Sequence, residues 1–346
     1  MTSDHLIALD NKPDGREPAD LVELRNEGPL ISSLDERVKP NPEVRKIESR
    51  NAWRLGLSRD FVVGQLGERA DAVAKPAASA QSIDLEPGLP DWSGINYHPK
   101  IGSAPARRTF RRANGARVDP DYVFGSDDRQ IYYPSGYPWR CIGRIFVWTN
   151  PSGSWAWSGT GALVGKNVVL TASHVCPWGS SPWMMQFVPG YYDGSSLSGV
   201  SSFVQTYRGY EDHGQGDDMC TLKLYTPLGN SLGYFGYKTY NDDWEDGHYW
   251  TKCGYAGAVA GAQRPNRVTW FPITDDDNDG AGVELEYKAD SSSGDSGGPV
   301  FGWWSGKPYV IGTHSGGEDN FGEPKQNVAA GGSALSSLIS WARNNW

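Results

Sequence analysis

From Val118 to its last residue the chain never runs far without a residue that turns it. Runs of strand-forming residues at 141–148, 161–172 and 309–313 are each bounded by Gly, Pro, Ser or Asn. Runs of that length and spacing read as short strands joined by tight turns. With 43 Gly and 23 Pro in the chain, long helices are disfavoured, and an all-β barrel or sandwich is the expected class. One helix is expected, at the end of the chain. Leu335, Leu338, Ile339 and Ala342 fall at i, i+3, i+4 and i+7 behind a Gly-Gly-Ser start, which turns one apolar face toward the strands.

Residues 1–117 follow a different pattern, poor in aromatics, with scattered Pro and only short amphipathic stretches such as residues 44–57. The 346-residue length also exceeds the roughly 100–200 residues of a usual single domain. Two regions are therefore expected: an N-terminal leader with a pro-segment or regulatory role over residues 1–117, and a folded domain over 118–346. The junction, Arg107-Arg108-Thr109-Phe110-Arg111-Arg112 and on to Arg117, is basic and rich in turn formers. It reads either as a solvated linker or as a stretch that a protease reaches easily.

Charge narrows the choice of partners. Residues 141–346 hold 12 basic and 20 acidic residues, which places −8 of the net −9 there. Such a domain repels phosphate backbones, so nucleic acid is not an expected partner. No apolar run reaches the roughly 18 residues needed to span a bilayer, so no membrane partner is expected either. The opening Met1-Thr2-Ser3-Asp4-His5 has no basic stretch leading into an apolar one, so no secretory signal is read there and localisation stays open. Cys141, Cys176, Cys220 and Cys253 fit no zinc spacing and stand either as buried thiols or as two disulfides.

The chemistry concentrates on Gly294-Asp295-Ser296-Gly297-Gly298-Pro299-Val300. A serine hydroxyl is a poor nucleophile near neutral pH and needs a histidine to take its proton and a carboxylate to orient that histidine. Small residues around Ser296 let the backbone turn sharply and let a carbonyl approach the amides of Gly294 and Ser296, the expected oxyanion hole. His174 follows the apolar run 161–170 in Thr171-Ala172-Ser173-His174, which sets an imidazole at the end of a buried strand. For the acid, Asp212, Asp217 and Asp218 all compete. Asp218 is preferred because the apolar segment after it, Met219 to Leu224, carries it inward, with Asp217 as the alternative. The Gly-x-Ser-x-Gly of α/β-hydrolase esterases is also satisfied, but there the order is serine, acid, histidine, the reverse of this chain.

These three blocks, in this order, resemble the signatures of trypsin-like serine proteases of the chymotrypsin superfamily. Trp139-Arg140-Cys141-Ile142-Gly143-Arg144-Ile145 is similar to the glutamyl-endopeptidase (V8-like) branch. Over residues 118–346 the resemblance implies two six-stranded β-barrels with the site between them, a protein or peptide substrate, and no required cofactor. It suggests extracellular work and a leader able to act as an intramolecular inhibitor, removed by cleavage near Arg117-Val118. In trypsins a new amine pairs with the counterpart of Asp295, yet no matching Ile-Val-Gly-Gly start is present.

The resemblance gives two signals for the residue preceding the scissile bond, P1. Asp290, six positions before Ser296, aligns on the pocket-base aspartate of trypsin and favours Arg or Lys. His314, Ser315 and Gly317, with Ser291, resemble the pocket of glutamyl endopeptidases and favour Glu, while an Asp290–His314 ion pair would leave little preference. The sequence leans slightly to the basic side. A non-catalytic binding module on the protease fold is the competing function. Separately, Asp275, Asp277, Asp279 and Glu286 fit Asp-x-Asp-x-Asp-Gly-x5-Glu, a spacing that wraps calcium, against the alternative of an acidic solvent loop.

Overall fold

The computed structural model describes residues 12–15, 44–47, 52–55, 62–63, 68–69, 84–89, 99, 121–150, 153–180, 182–210, 214–318 and 325–346. The run expected at 161–172 divides into two strands, Trp157–Leu163 and Val168–Thr171, because the chain folds back through Gly165 and the amide of Val164 reaches the carbonyl of Val168 at 2.9 Å. With Ile142–Trp148, Met184–Pro189, Ser202–Gly209 and Cys220–Leu224 they make a ring of six strands. The ring closes where Ser202–Gly209 pairs with Cys220–Leu224, so it leaves no free edges of its own. Its interior is filled by side chains such as Ile145, Leu163, Val169, Phe187 and Leu222.

A second sheet runs in the order Ile273–Asp279, Gly282–Tyr287, Gln326–Gly331, Lys307–Glu318, Pro299–Trp304, Trp250–Gly254, Asn266–Phe271 and Gln130–Ile131. Among the described residues its pairings run as an open path. A second core cluster here includes Trp250, Phe271, Ile273, Leu285, Tyr287 and Val300.

The expected helix is present as Gly332–Asn345, burying Ala334, Leu335, Leu338, Ile339 and Ala342. Each fully buried Leu or Ile contributes roughly 1.5–3 kcal/mol, so the apolar face suffices to dock it. Arg343 on its last turn donates to the carbonyls of Val164, Phe235 and Glu86. All four cysteines are buried and unbridged. Burial pushes the thiols of Cys141 and Cys253 up to about 12, which leaves them inert as nucleophiles.

The described parts of the leader touch the folded domain. Glu68–Arg69 adds a parallel pairing to Ser202–Gly209. Leu85 and Gly88 bridge to Tyr237 and Tyr234, and the amide of Asp14 donates to the Trp303 carbonyl at 2.6 Å. Strands Val44–Ile47, Ala52–Leu55 and Val62–Val63 form a small sheet of their own. The basic stretch at 107–117 and the bond after Arg117 lie outside the described residues. No described helix is long and apolar enough to cross a membrane.

Candidate active site

His174 stands in the single turn Ser173–Val175 that ends the strand Val168–Thr171. That strand pairs with Cys220–Leu224 in a register setting Cys220 opposite Thr171, which brings Asp218 alongside His174. The His174 Nδ1 lies 2.6 Å from Asp218 Oδ2, and the His174 amide donates to Asp218 Oδ1 at 2.9 Å. The ring side chain is 42% exposed and the carboxylate 3%, so Nε2 is left for a partner in the cleft. Burial by itself pushes Asp218 up, but the bond and charge of His174, with a hydroxyl bond from Ser315, outweigh it and hold the carboxyl below its usual value. Burial likewise lowers His174, while the bond and charge of Asp218, with a further push from the charge of Asp121, raise it net above its usual value. Asp217 turns elsewhere, accepting from the Ala281 amide at 3.2 Å. Asp212 lies outside the described residues.

Ser296 sits on a loop drawn tight by two bonds, from the Asp295 amide to the Ser292 carbonyl at 3.0 Å and from the Gly298 amide to the Asp295 carbonyl at 2.8 Å. Gly294 has φ +105°, and a Cβ there would stand 2.5 Å from the Tyr255 carbonyl oxygen. Gly297 has φ +84°, and its Cβ would meet Thr171 Oγ1 at 2.1 Å and the Ala172 amide at 2.9 Å. Only glycine tolerates both the left-handed backbone and that approach. The loop is thereby pressed against the segment leading into His174. A Cβ on Gly159 would lie 2.8 Å from Val175 and 3.1 Å from the Ser296 carbonyl, and the Thr160 amide donates to that carbonyl at 2.8 Å. The loop that carries Ser296 is thus packed against the segment that carries His174, with Asp218 bound to that histidine. Nucleophilic acyl transfer requires both an oriented base and a serine held on a rigid loop.

Beside this loop His314 is fully buried. Tyr287 Oη lies 2.6 Å from its Nδ1, and Ser291 Oγ 2.6 Å from its Nε2. Burial, reinforced by the charges of Asp121 and Asp295, holds the Tyr287 phenol well above its usual pKa. The phenol keeps its proton and stays bonded to Nδ1, so both ring nitrogens have a partner inside the fold. A second neighbour of Nε2, beyond Ser291, was not foreseen: Asp121 Oδ1 lies 3.4 Å away with the Asp121 side chain 2% exposed. The other oxygen, Oδ2, has no hydrogen-bond partner among the described residues. A buried carboxylate of the chain itself therefore lies beside His314.

Several expectations change. Asp290, expected at a pocket base facing substrate, instead accepts from the amides of Phe124 at 2.7 Å and Asp128 at 2.8 Å. Its two oxygens pin the segment that enters the domain, and the aspartate that meets His314 is Asp121. Ser315, expected to bind substrate, donates to Asp218 Oδ2 at 2.6 Å, so it holds the acid rather than the ligand. Gly317 lies on the strand next to Asn327, its carbonyl accepting from Gln215 Nε2 at 3.5 Å.

The calcium spacing folds as a hairpin, with Asp275 opposite Glu286 and Asp277 opposite Glu284. Asp279 accepts from the Gly216 amide at 3.1 Å. The expected set of Asp275, Asp277, Asp279 and Glu286 does not converge as a loop would. The carboxylates that do converge, within 4.8 Å of one another, are Glu284, Glu286 and Glu318.

Comparison with known proteins bears on the same residues. The family model described as Trypsin matches residues 137–339. A glutamyl endopeptidase of Bacillus licheniformis is 30% identical over 281 residues, covering 72% of this chain and 83% of that protein. An extracellular metalloprotease of Bacillus subtilis is 25% identical over 252 residues, covering 69% of this chain and 74% of that one. A solved structure of a Glu endopeptidase in complex with MPD aligns with a TM-score of 0.51 at 19% identity, over 65% of this chain and all of the other. That likeness speaks to the fold alone.

Proposed function

Because the chain belongs to the trypsin family and is a serine endopeptidase, we propose that it cleaves peptide bonds after acidic residues, with Ser296, His174 and Asp218 as its triad. Ser296 attacks the scissile carbonyl. His174 Nε2 takes the hydroxyl proton and later hands it to the leaving amine, while Asp218 holds the ring from Nδ1 and steadies the imidazolium. The Gly294 and Ser296 amides receive the oxyanion. No cofactor enters these steps.

The acidic preference rests on one observation, the Asp121 carboxylate 3.4 Å from His314 Nε2. A pocket that holds one carboxylate offers a donor of the right kind for another, on a substrate Glu. Ser291 stands beside His314, its hydroxyl 2.6 Å from Nε2 and donating to Asp295 Oδ2 at 3.2 Å. The basic alternative relied on Asp290, and both its oxygens are engaged by backbone amides. The relative named a glutamyl endopeptidase supports the same reading.

Asp121 also gives the leader its role in this proposal. While the chain is tethered upstream, Asp121 fills the pocket and competes with substrate. A cut near Arg117-Val118, made by a second protease of basic preference and dividing a 1–117 leader from a 118–346 protease, frees the four-residue arm that carries it. An extracellular place of work fits the relative named as extracellular. The test is incubation of the full-length protein beside Ser296→Ala, with every fragment sequenced. Cuts after Glu or Asp in the parent alone are expected. Cuts after Arg or Lys, or the same cuts in Ser296→Ala, would overturn the reading.

A further inference from the structure

Asp295 directly precedes Ser296, and its carboxylate is completely buried. Such a charge is tolerated only if it is paired and hydrogen-bonded. All its partners come from within the folded domain. Lys252 Nζ, itself fully buried on the strand Trp250–Gly254, lies 3.2 Å from Asp295 Oδ2. Asn266 Nδ2 donates to Oδ1 at 2.9 Å, and Ser291 Oγ and the Ser292 amide donate to Oδ2, each at 3.2 Å. Arg129 Nη1 stands further off at 3.9 Å, its fork engaged mainly by Asp127 and Ser292. Burial pushes the Asp295 carboxyl up, yet the charges of Lys252, Arg129 and His314 and the Asn266 bond hold it below its usual value.

Lys252 does more than neutralise. The same ammonium donates to the Asp290 carbonyl at 2.7 Å, so one cation ties the start of the loop, at 290, to the residue before the nucleophile, at 295. Of the two proposed oxyanion donors, the Gly294 amide lies between these points and the Ser296 amide follows directly after the second. The cation belongs to the middle of a paired strand, whose neighbours are Asn266–Phe271 and Pro299–Trp304. It is therefore in place whether or not the chain is cut upstream.

We propose that Lys252 is a positioning residue that sets the oxyanion loop from inside the fold, so that Ser296 is reactive in the uncut chain without a newly made amine. The inference rests on Ser296 as the nucleophile. It divides latency into two parts: the reacting centre is assembled from the start, and only the pocket filled by Asp121 waits.

Two measurements test it. In the processed enzyme, Lys252→Met should lower kcat by ~10²–10³-fold, the loss typical of a damaged oxyanion hole, with KM changed less than about threefold. Lys252→Arg should restore most of the rate, and Lys252→Met combined with Asp295→Asn should exceed Lys252→Met alone, because the stranded charge is gone. In the full-length parent, a small alkyl fluorophosphonate should label Ser296 at a rate like that of the processed enzyme, with the label found by mass spectrometry on the intact chain. This second measurement stands even where Lys252→Met does not fold. Parent-like kcat in Lys252→Met, failure of the Arg and Asn substitutions to restore rate, or an intact chain labelled only after cleavage would overturn the proposal. Labelling that survives Ser296→Ala would instead remove the nucleophile assignment beneath it.

Discussion

Among the described residues two histidines, His174 and His314, meet an aspartate, and the contacts differ in every respect that matters for chemistry. At His174 the aspartate is local to the barrel, bound at 2.6 Å, and supported by the His174 amide and by Ser315, while the ring is partly exposed. At His314 the ring is fully buried, and its aspartate arrives from the leader side at 3.4 Å with one oxygen unpartnered among the described residues. The first carboxylate is built in, and the second is held like a guest. A fixed, fully bonded acid orients a base, whereas a loosely held one marks a place that another carboxylate can take.

The comparison breaks most visibly at the first contact. Asp218→Asn keeps the shape but leaves the histidine in the wrong tautomer, and kcat is expected to fall about 10⁴-fold, measured on a peptide with Glu at P1. At the second contact, His314→Ala should cost about 10²-fold in kcat/KM for that peptide, the scale of a lost hydrogen bond to a charged group. Its fluorophosphonate labelling of Ser296 should stay at the parent rate. Equal losses in both assays would mean that the two histidines do one job.

A smaller effect tests the guest itself. Asp121→Asn in the uncut chain should raise kcat/KM for the Glu peptide by roughly tenfold, since competition by a charged side chain is removed. The same change should move the acid limb of the pH profile downward. The charge of Asp121 helps raise His174, so losing it lowers that pKa and keeps the base neutral to lower pH.

The smallest expected effect belongs to carboxylates crowded with no histidine at all. Burial, with the Asp279 bond and the charges of Glu318, Asp279 and Glu286, raises Glu284 to about 8. A carboxyl raised in the fold contributes stability that is present below its ordinary range and lost as pH climbs toward that value. Glu284→Gln should therefore raise Tm at pH 8 by about 2–4 °C, the shift that ~1 kcal/mol produces in a domain of this size, and leave it unchanged near pH 4, below that range.

What the sequence disclosed follows the range over which each interaction acts. Ser296 and His174 stand in contiguous motifs because the tight loop at 294–298 and the strand end at 171–174 are local structures. Asp218 was favoured over Asp217 by the apolar strand after it, and the register with Thr171 is why that clue had force. Asp121, Tyr287 and Lys252 went unseen because their partners lie far along the chain, Asp121 and His314 being 193 residues apart by their numbers (314 − 121). No local pattern records such a meeting.

Two spacings admitted more than one outcome for a physical reason. Spacing fixed where Asp290 sits on the loop, but not what its side chain accepts from, and the entering segment supplied two amides. The alternating aspartates at 275, 277 and 279 suit a calcium loop and also suit one face of a strand, because a strand repeats every two residues. The paired partner Gly282–Tyr287 makes it a strand.

The central claim, that the His314 pocket selects an acidic residue, is tested most directly with processed enzyme and two peptides identical except for Glu or Arg at P1. A kcat/KM ratio of at least ~10² in favour of Glu is the expected result, given a histidine that already meets one carboxylate and an Asp290 whose oxygens are bound by backbone amides. A ratio near one, or a preference for Arg, would contradict the account.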